Sequence, residues 1–212
     1  MRRCSVLDLL QTKEGSKMFT AITIVLTIVA GLISASFFEW TVHKYFMHRP
    51  VRFVTRWFIS HTRVHHVKFG FDDSYHIQNA GDTHIIGMIV WAPLLIATGF
   101  TPYLPVLLLS YTLDLEQTNV IFWTGGAVSV AYYLAYEYFH FLMHYPKDRW
   151  VERTTLFRRM NGHHLIHHRH MNKNFNVVLP LADKLMGTLL LRATVRFKQP
   201  RGPAVPDVQP LT

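Results

Sequence analysis

Three long stretches of this sequence carry no charged residue, and they constrain the possible folds more than any other feature. They cover residues 18–38, 85–113 and 117–136, which are 21, 29 and 20 positions long. A membrane-spanning helix needs about 20 consecutive apolar residues, so each stretch is long enough to cross a bilayer. The middle stretch contains Pro93, Pro102 and Pro105. We therefore expect a kink or a break within it.

The basic residues lie on one side of these stretches. Of the 22 Lys and Arg, 18 lie in residues 43–84 and 140–212, whereas the loop before the third stretch carries only Asp114 and Glu116. The positive-inside rule then places both basic segments in the cytoplasm and predicts three spans with the N-terminus outside. Four basic residues precede the first stretch and oppose that orientation. A tilted or re-entrant first element is therefore the alternative.

The composition favours a membrane protein over a soluble one. The chain is 50% hydrophobic and yet carries a formal charge of +9, which agrees with a membrane protein that has a basic cytoplasmic face. Its single cysteine, Cys4, excludes an internal disulfide and a multi-cysteine metal site. The first 17 residues are polar and of mixed charge, unlike a signal peptide.

We expect one all-α domain over residues 1–212. Its predicted architecture is an integral membrane helical bundle of about three to four spans with a cytoplasmic helical cap. Residues 199–212 contain four prolines and indicate a disordered tail.

Ten of the fourteen histidines form four clusters on the basic side of the predicted membrane. The clusters are His43 and His48; His61, His65 and His66; His140 and His144; and His164, His167 and His168. One histidine-rich run can arise as a low-complexity segment, whereas four clusters on one side indicate a shared site. Imidazole is the commonest side-chain ligand of transition metals, so we expect a metal centre.

Helical spacing predicts which histidines share an ion. His140 and His144 are four residues apart, which places them on one face of an α-helix, as two ligands of one metal require. The same spacing relates His61 to His65 and His164 to His168.

Adjacent histidines instead diverge by about 100° on an α-helix, so the members of each doublet, His65–His66 and His167–His168, can face different ions. His43 and His48 diverge by about 140° and are expected to flank a two-metal centre. Ten imidazoles exceed the four to six ligands of one ion and suit two.

The four remaining histidines are expected to lie outside the ligand set. His76 and His84 are isolated and are interpreted as surface or headgroup-level residues. His163 and His170 are each at helical spacing from His167, so spacing alone does not exclude them. We place the ligand at His164, which keeps helical spacing to both members of the following doublet, and we expect His163 to support the ligands or face solvent.

Two carboxylates sit close to the clusters at the predicted membrane edge. Glu39 lies four residues before His43, and Glu137 lies three before His140. A carboxylate at this depth is costly unless it has a partner, and ligating histidines often donate their second N–H to one. We expect both to orient histidines; exposure among the headgroups is the alternative.

The motifs H-x4-H, H-x3-H-H, H-x3-H and H-x2-H-H, in this order, resemble the histidine boxes of the fatty acid hydroxylase superfamily. That superfamily includes sterol desaturases and hydroxylases, sphingolipid fatty acid hydroxylases and carotenoid hydroxylases. The resemblance covers about residues 39–188. Residues 174–188, NFNVVLPLADKLMGT, are similar to the family's N-F-G-x-x-x-x-x-W-D-x-x-F-G-T ending, with Asn176, Ala182 and Met186 replacing its Gly, Trp and Phe.

The resemblance implies a membrane-bound oxygenase that hydroxylates an unactivated C–H bond of a fatty acyl chain or sterol with O2. The ten clustered histidines would bind two iron ions, which zinc can replace in purified protein. A desaturase or carotenoid hydroxylase with the same centre is the alternative.

Electrons would come from a separate ferredoxin or b-type cytochrome with its reductase, because the chain has no flavin, haem or iron–sulfur motif. The expected location is a bacterial inner membrane or the endoplasmic reticulum, with the site on the cytoplasmic face. We expect no nucleic-acid partner.

Functions of other classes fit the sequence less well. A membrane haem protein that carries electrons would place histidines within facing spans, whereas all fourteen lie outside the three uncharged stretches. A metal transporter should have ionisable ligands at mid-membrane, and none occurs in these stretches. A zincin protease would need H-E-x-x-H, which the sequence lacks.

Overall fold

Every regular element in the described part of the chain is a helix, as the sequence predicts. The computed structural model describes residues 13–87, 97, 100–105, 108 and 117–191. Most of the second uncharged stretch, the acidic loop at Asp114 and Glu116, and the tail at 199–212 lie outside the described residues.

The first uncharged stretch forms most of helix α1, Lys13–Thr41, which continues directly into a first π-helical segment, Val42–Met47. Among the described residues, Lys13–Met47 is the one helix both long and apolar enough to cross a membrane. Its apolar side chains are largely uncovered: Val25 is 59% exposed and Leu26 63%. Large contiguous apolar surface is unusual against water, so by length and composition this helix is suited to contact with a bilayer.

The third uncharged stretch forms most of the second long helix. This helix is α4, Thr118–His144, and it packs along α1. Two short helices precede it in the chain: α2, Thr55–Phe58, and α3, His66–Lys68. Gly31 of α1 faces Val128 of α4 at close range, so the two backbones can approach there. The structure identifies no second candidate span among the described residues, and three spans therefore stay a prediction.

Short helical elements complete the end of the bundle that carries the histidines. A second π-helical segment, Ile59–His65, joins α2 to α3. Later in the chain come α5, Thr155–Arg169, and α6, Leu181–Leu185. Single 3₁₀ turns occur at Asp73–Tyr75, Ala80–Ile85, Thr101–Tyr103 and Val151–Arg153.

Helix α5 carries the last histidine cluster back onto the end of α4. It begins at a capping residue, Thr154, whose hydroxyl accepts the backbone N–H of Phe157. Buried apolar side chains then hold the two helices together, with Met143 of α4 and Phe157 and Met160 of α5 almost fully enclosed. This packing fixes His164, His167 and His168 opposite His140 and His144.

Candidate metal centre

The ten clustered histidines meet in two groups of five. The first histidine group contains His43, His48, His61, His66 and His167, and the second contains His65, His140, His144, His164 and His168. Within each group, one ring nitrogen from each of the five histidines lies within 4.8 Å of those of the other four. The structure therefore brings together every residue expected to bind metal. It leaves His76, His84, His163 and His170 outside both groups.

The α-helical pairs and the doublets are arranged as their spacing predicts. His140 and His144, and likewise His164 and His168, fall in the same group. The doublets separate: His65 lies in the second group and His66 in the first, and His167 and His168 divide in the same way. Each doublet therefore connects the two groups.

Two other expected pairings were wrong because the backbone there is π-helical rather than α-helical. His43 and His48 do not flank two ions; their rings stack, with centroids 5.1 Å apart, within the first group. His61 shares its group with His66 and not with His65. Hydrogen bonds in a π-helix join residues five apart, so residues i and i+5 align where an α-helix would separate them.

The spacing of the Nε2 atoms fits a shared ion. In the first group the Nε2 atoms of His43 and His61 are 2.9 Å apart, and in the second those of His144 and His164 are 3.2 Å apart. Two nitrogens about 2.1 Å from one ion, at right or tetrahedral angles, would be about 3.0–3.4 Å apart. Among the described residues, the buried Nε2 of His65 has no hydrogen-bond partner, which also fits a lone pair reserved for a metal.

The opposite ring nitrogen of several histidines is held by the backbone. Nδ1 donates to a main-chain carbonyl in five rings: His43 to Phe175, His144 to Tyr75, His167 to Lys173, His168 to Phe69 and, at 3.4 Å, His65 to Ile85. A ring whose Nδ1 carries the proton presents the lone pair of Nε2 to the centre. Such bonds fix both the tautomer and the orientation of a ligating imidazole.

The surroundings keep the imidazole rings of His48 and His167 neutral. Burial, and then the positive charge that neighbouring His167 would carry, lower the pKa of His48 to about 2. Burial likewise lowers the pKa of His167 to about 4, although its bond to the carbonyl of Lys173 acts in the opposite direction. Only a neutral imidazole has a lone pair for a metal, so the site is prepared for metal at neutral pH.

His163 supports the centre from outside the two groups. Its Nε2 donates to Oδ2 of Asp183 at 3.0 Å, and its ring is 8% exposed. Asp183 is fully buried and also accepts the backbone N–H groups of Phe175 and Asn176. Burial acts to raise the pKa of Asp183, but hydrogen bonds led by those from His163 and Thr188 outweigh it and hold that pKa below its usual value.

Glu39 and Glu137, the two carboxylates predicted to lie at the membrane edge, differ in their surroundings. Glu39 is buried and accepts bonds from the hydroxyl of Tyr132, the side-chain amide of Asn176 and the backbone N–H of Val177. Its described partners are therefore the segment after the last histidine cluster and helix α4, and the expected direct bond to a histidine is not among them. Glu137 is half-buried and lines an outer cleft with His84, away from both histidine groups.

Sequence reasoning missed Asp183 and Asn174 as supporting residues. Asn174 adopts a left-handed φ of 55°, a conformation that asparagine tolerates, and its side chain bonds to the carbonyls of His163 and Leu190. The motif at 174–188 could have indicated them, because Asn174, Asp183 and Thr188 match its asparagine, aspartate and threonine. The partners, however, are far apart in sequence and could not be assigned from it.

An apolar cavity reaches the first histidine group from between α1 and α4. It is partly open to the surroundings. Phe38, Val42 and Met47 line one side, and His43 borders it directly. Tyr103, Tyr132 and Tyr136 contribute hydroxyl groups to an otherwise mainly apolar wall. Its mainly apolar lining is that of a pocket for a hydrocarbon ligand.

The chain matches the model of a known protein family. The family model described as fatty acid hydroxylase matches residues 28–188, a range that includes all ten grouped histidines and the motif at 174–188. No curated protein and no solved structure matches the chain.

Proposed function

This chain belongs to the fatty acid hydroxylase family, and on that premise we propose that it is a membrane-bound di-iron oxygenase of lipids. It hydroxylates an unactivated C–H bond of a fatty acyl chain or sterol, using O2 and electrons supplied by another protein. The observation that carries the proposal is the pair of five-histidine groups with Nε2 atoms at the separation that a shared ion requires.

The assignment of the ions to iron rests on the chemistry. Two bound iron ions supply activation of dioxygen, which no side chain provides and which oxidation of an unactivated C–H bond requires. Neutral imidazoles leave the ions most of their positive charge. The protein's own part would be to present five ring nitrogens to each ion and to hold half of the rings by backbone bonds to Nδ1.

The cavity between α1 and α4 is the proposed site of the lipid chain. Its apolar wall accepts methylene groups and excludes water, and its border at His43 brings a C–H bond close to the first histidine group. Helix Lys13–Met47 faces the bilayer, so a lipid could enter without leaving the membrane. Acyl chain, sterol and carotenoid are all compatible with this wall.

The proposed electron donor is an acidic ferredoxin or b-type cytochrome. Arg49, Arg52, Arg56 and Arg63 are all exposed on the cap near the first histidine group. A basic surface attracts an acidic partner and speeds its association at low salt. In the proposed topology this face is cytoplasmic, in accordance with the positive-inside rule.

The first test counts the ions. Full-length protein purified from iron-replete cells should contain about two iron ions per chain, and material that has acquired zinc should be folded but inactive. Folded, active protein with one ion or none would overturn the two-metal proposal. A Soret band in the purified protein would favour a haem electron carrier instead.

The second test identifies the reaction. Lipids from a host that expresses the protein should contain a species heavier by one oxygen than its precursor. A host that expresses the His144→Ala variant is the matched control, because the variant lacks a predicted ligand. Loss of two hydrogens without gain of oxygen would identify a desaturase; no lipid change with a functional donor present would contradict the proposal.

A further inference from the structure

The two histidine groups are held from outside by different segments of the chain. In the first group, the backbone carbonyls that receive Nδ1 bonds belong to Lys173 and Phe175. In the second group, the corresponding carbonyls belong to Phe69, Tyr75 and Ile85, and the bond to Ile85 is the longest of the three. Among the described residues, no such bond crosses from one segment to the other group. The carbonyls behind the two groups therefore belong to different segments, while α5 carries ligands of both groups.

Asp183 fixes the segment that serves the first group. Its Oδ1 accepts the backbone N–H of Phe175 at 3.0 Å and the hydroxyl of Thr188 at 2.6 Å. Its Oδ2 accepts the backbone N–H of Asn176 at 2.8 Å and Nε2 of His163 at 3.0 Å. Four donors converge on one fully buried carboxylate, so its position and that of residues 175–176 are tightly coupled.

We propose that Asp183 is a positioning residue for the first histidine group alone. It acts through the backbone of residues 173–176, whose carbonyls hold His43 and His167 by Nδ1, and so sets the metal affinity of that group. The second group, held by residues 69–85, keeps its affinity when Asp183 is changed. This inference rests on the proposed two-metal function.

The substitution Asp183→Asn tests it with little change of volume. The amide retains one acceptor for Phe175 and Thr188, but its NH2 faces the N–H of Asn176 and leaves that donor unpaired. Loss of a partner behind a ligating histidine typically weakens metal binding by about 10–100-fold. Asp148→Asn is the matched control, because Asp148 is an exposed carboxylate paired only with Arg153 among the contacts the structure describes.

The measurement is a zinc titration of the metal-free, full-length protein with a competing chelator. Wild type and Asp148→Asn should bind two zinc ions per chain. In Asp183→Asn, the dissociation constant of one zinc-binding step should stay within about threefold of wild type. The other step should bind zinc about 10–100-fold more weakly. Equal weakening of both steps, or of neither, would overturn the inference. A wild type that binds fewer than two ions would instead overturn the proposed function.

Adding Asp183→Asn to two variants, each with one histidine group disabled, shows which group loses zinc affinity. Replacing His140 and His144 by Ala disables the second group, and there Asp183→Asn should abolish most of the remaining tight binding. Replacing His61 and His66 disables the first group, and there Asp183→Asn should change the remaining step less than threefold. The reverse pattern would overturn the inference. If Asp183→Asn does not fold, Thr188→Val replaces it as the test, because it removes one of the four donors to Asp183. Thr188→Val should weaken zinc binding to the first histidine group alone, by a smaller factor than Asp183→Asn.

Discussion

His163 and His164 are adjacent in the chain and have different surroundings. His164 lies in the second histidine group, with its Nε2 atom 3.2 Å from that of His144 and 3.1 Å from that of His168. His163 turns away and bonds to Asp183. The spacing of either residue to His167 and His168 is compatible with the last histidine motif. The directions of the two side chains show that His164 and not His163 lies in the group.

Alanine at these two positions should give different losses. His164→Ala removes a proposed ligand, so we expect turnover to be abolished together with one bound metal ion. His163→Ala removes one donor from a buried carboxylate, so we expect a partial loss of activity and a lower stability by about 1–3 kcal/mol. Steady-state turnover, metal content and denaturant unfolding of both variants check this.

An inactive His163→Ala beside an active His164→Ala would show that the register of the last motif is wrong. His84→Ala is the control, since His84 is exposed and lies outside both groups. It should retain most of the activity.

At the scale of elements, the two π-helical segments determine how the first histidine group is formed. Val42–Met47 aligns His43 with His48, and Ile59–His65 allows His61 to join His66. Segments of this kind are rare in proteins and occur frequently at functional sites. Regular α-helical winding would turn one member of each pair away from its ion.

The packing of α4 against the segment around Tyr103 depends on two glycines. A Cβ at Gly126 would lie 1.8 Å from a ring carbon of Phe100, and one at Gly125 would lie 2.3 Å from the ring of Tyr103. Both distances are far shorter than van der Waals contact. Aromatic rings therefore occupy the space that side chains at 125 and 126 would fill.

Gly125→Ala should consequently destabilise the protein by about 1–3 kcal/mol, as overpacking of a core does. Because Tyr103 also lines the cavity, the variant should lose lipid turnover more than it loses metal. Thermal unfolding in detergent, metal content and turnover are the measurements. An unchanged unfolding temperature would contradict the described packing.

Gly162→Ala is the matched control for this change. Gly162 lies within α5, and a Cβ there would meet no atom within 4 Å. Alanine is the better helix former, so this variant should be about 0.5–1 kcal/mol more stable than wild type.

For the whole molecule, the buried neutral histidines make stability depend on pH. Burial, followed by the charge of neighbouring histidines, lowers the pKa of His61, His65 and His164 well below its usual value. A group with a folded pKa below its unfolded pKa binds protons preferentially in the unfolded chain. Stability is therefore complete above the unfolded pKa and decreases as the pH falls from it towards the folded pKa.

Metal-free protein should accordingly unfold at lower temperature as the pH falls from 8 to 5. His167 alone, with a pKa of about 4 against about 6.5 when unfolded, should cost about 2 kcal/mol at pH 5. Thermal unfolding at each pH measures the effect. The control His84→Gln should show the same profile, and a constant unfolding temperature over this range would contradict the described burial.

The sequence by itself determined the features that depend on residues close together in the chain. The first and third uncharged stretches form long helices, and the pairs at i and i+4 on α4 and α5 share a group, because the geometry of an α-helix fixes the angle between near neighbours. The separation of each histidine doublet follows from the same geometry. Family membership was evident for the same reason, since the motifs are defined by spacing along the chain.

Only the tertiary structure decided how these pieces combine. The pairing of His43 with His48 depends on π-helical winding, which spacing does not reveal. The bond from His43 to Phe175 joins residues 132 positions apart, and Asp183 acts on the first group through a backbone segment that α6 and α1 hold in place. Such contacts form when helices pack, because packing, and not local geometry, brings distant side chains within reach of a common ion.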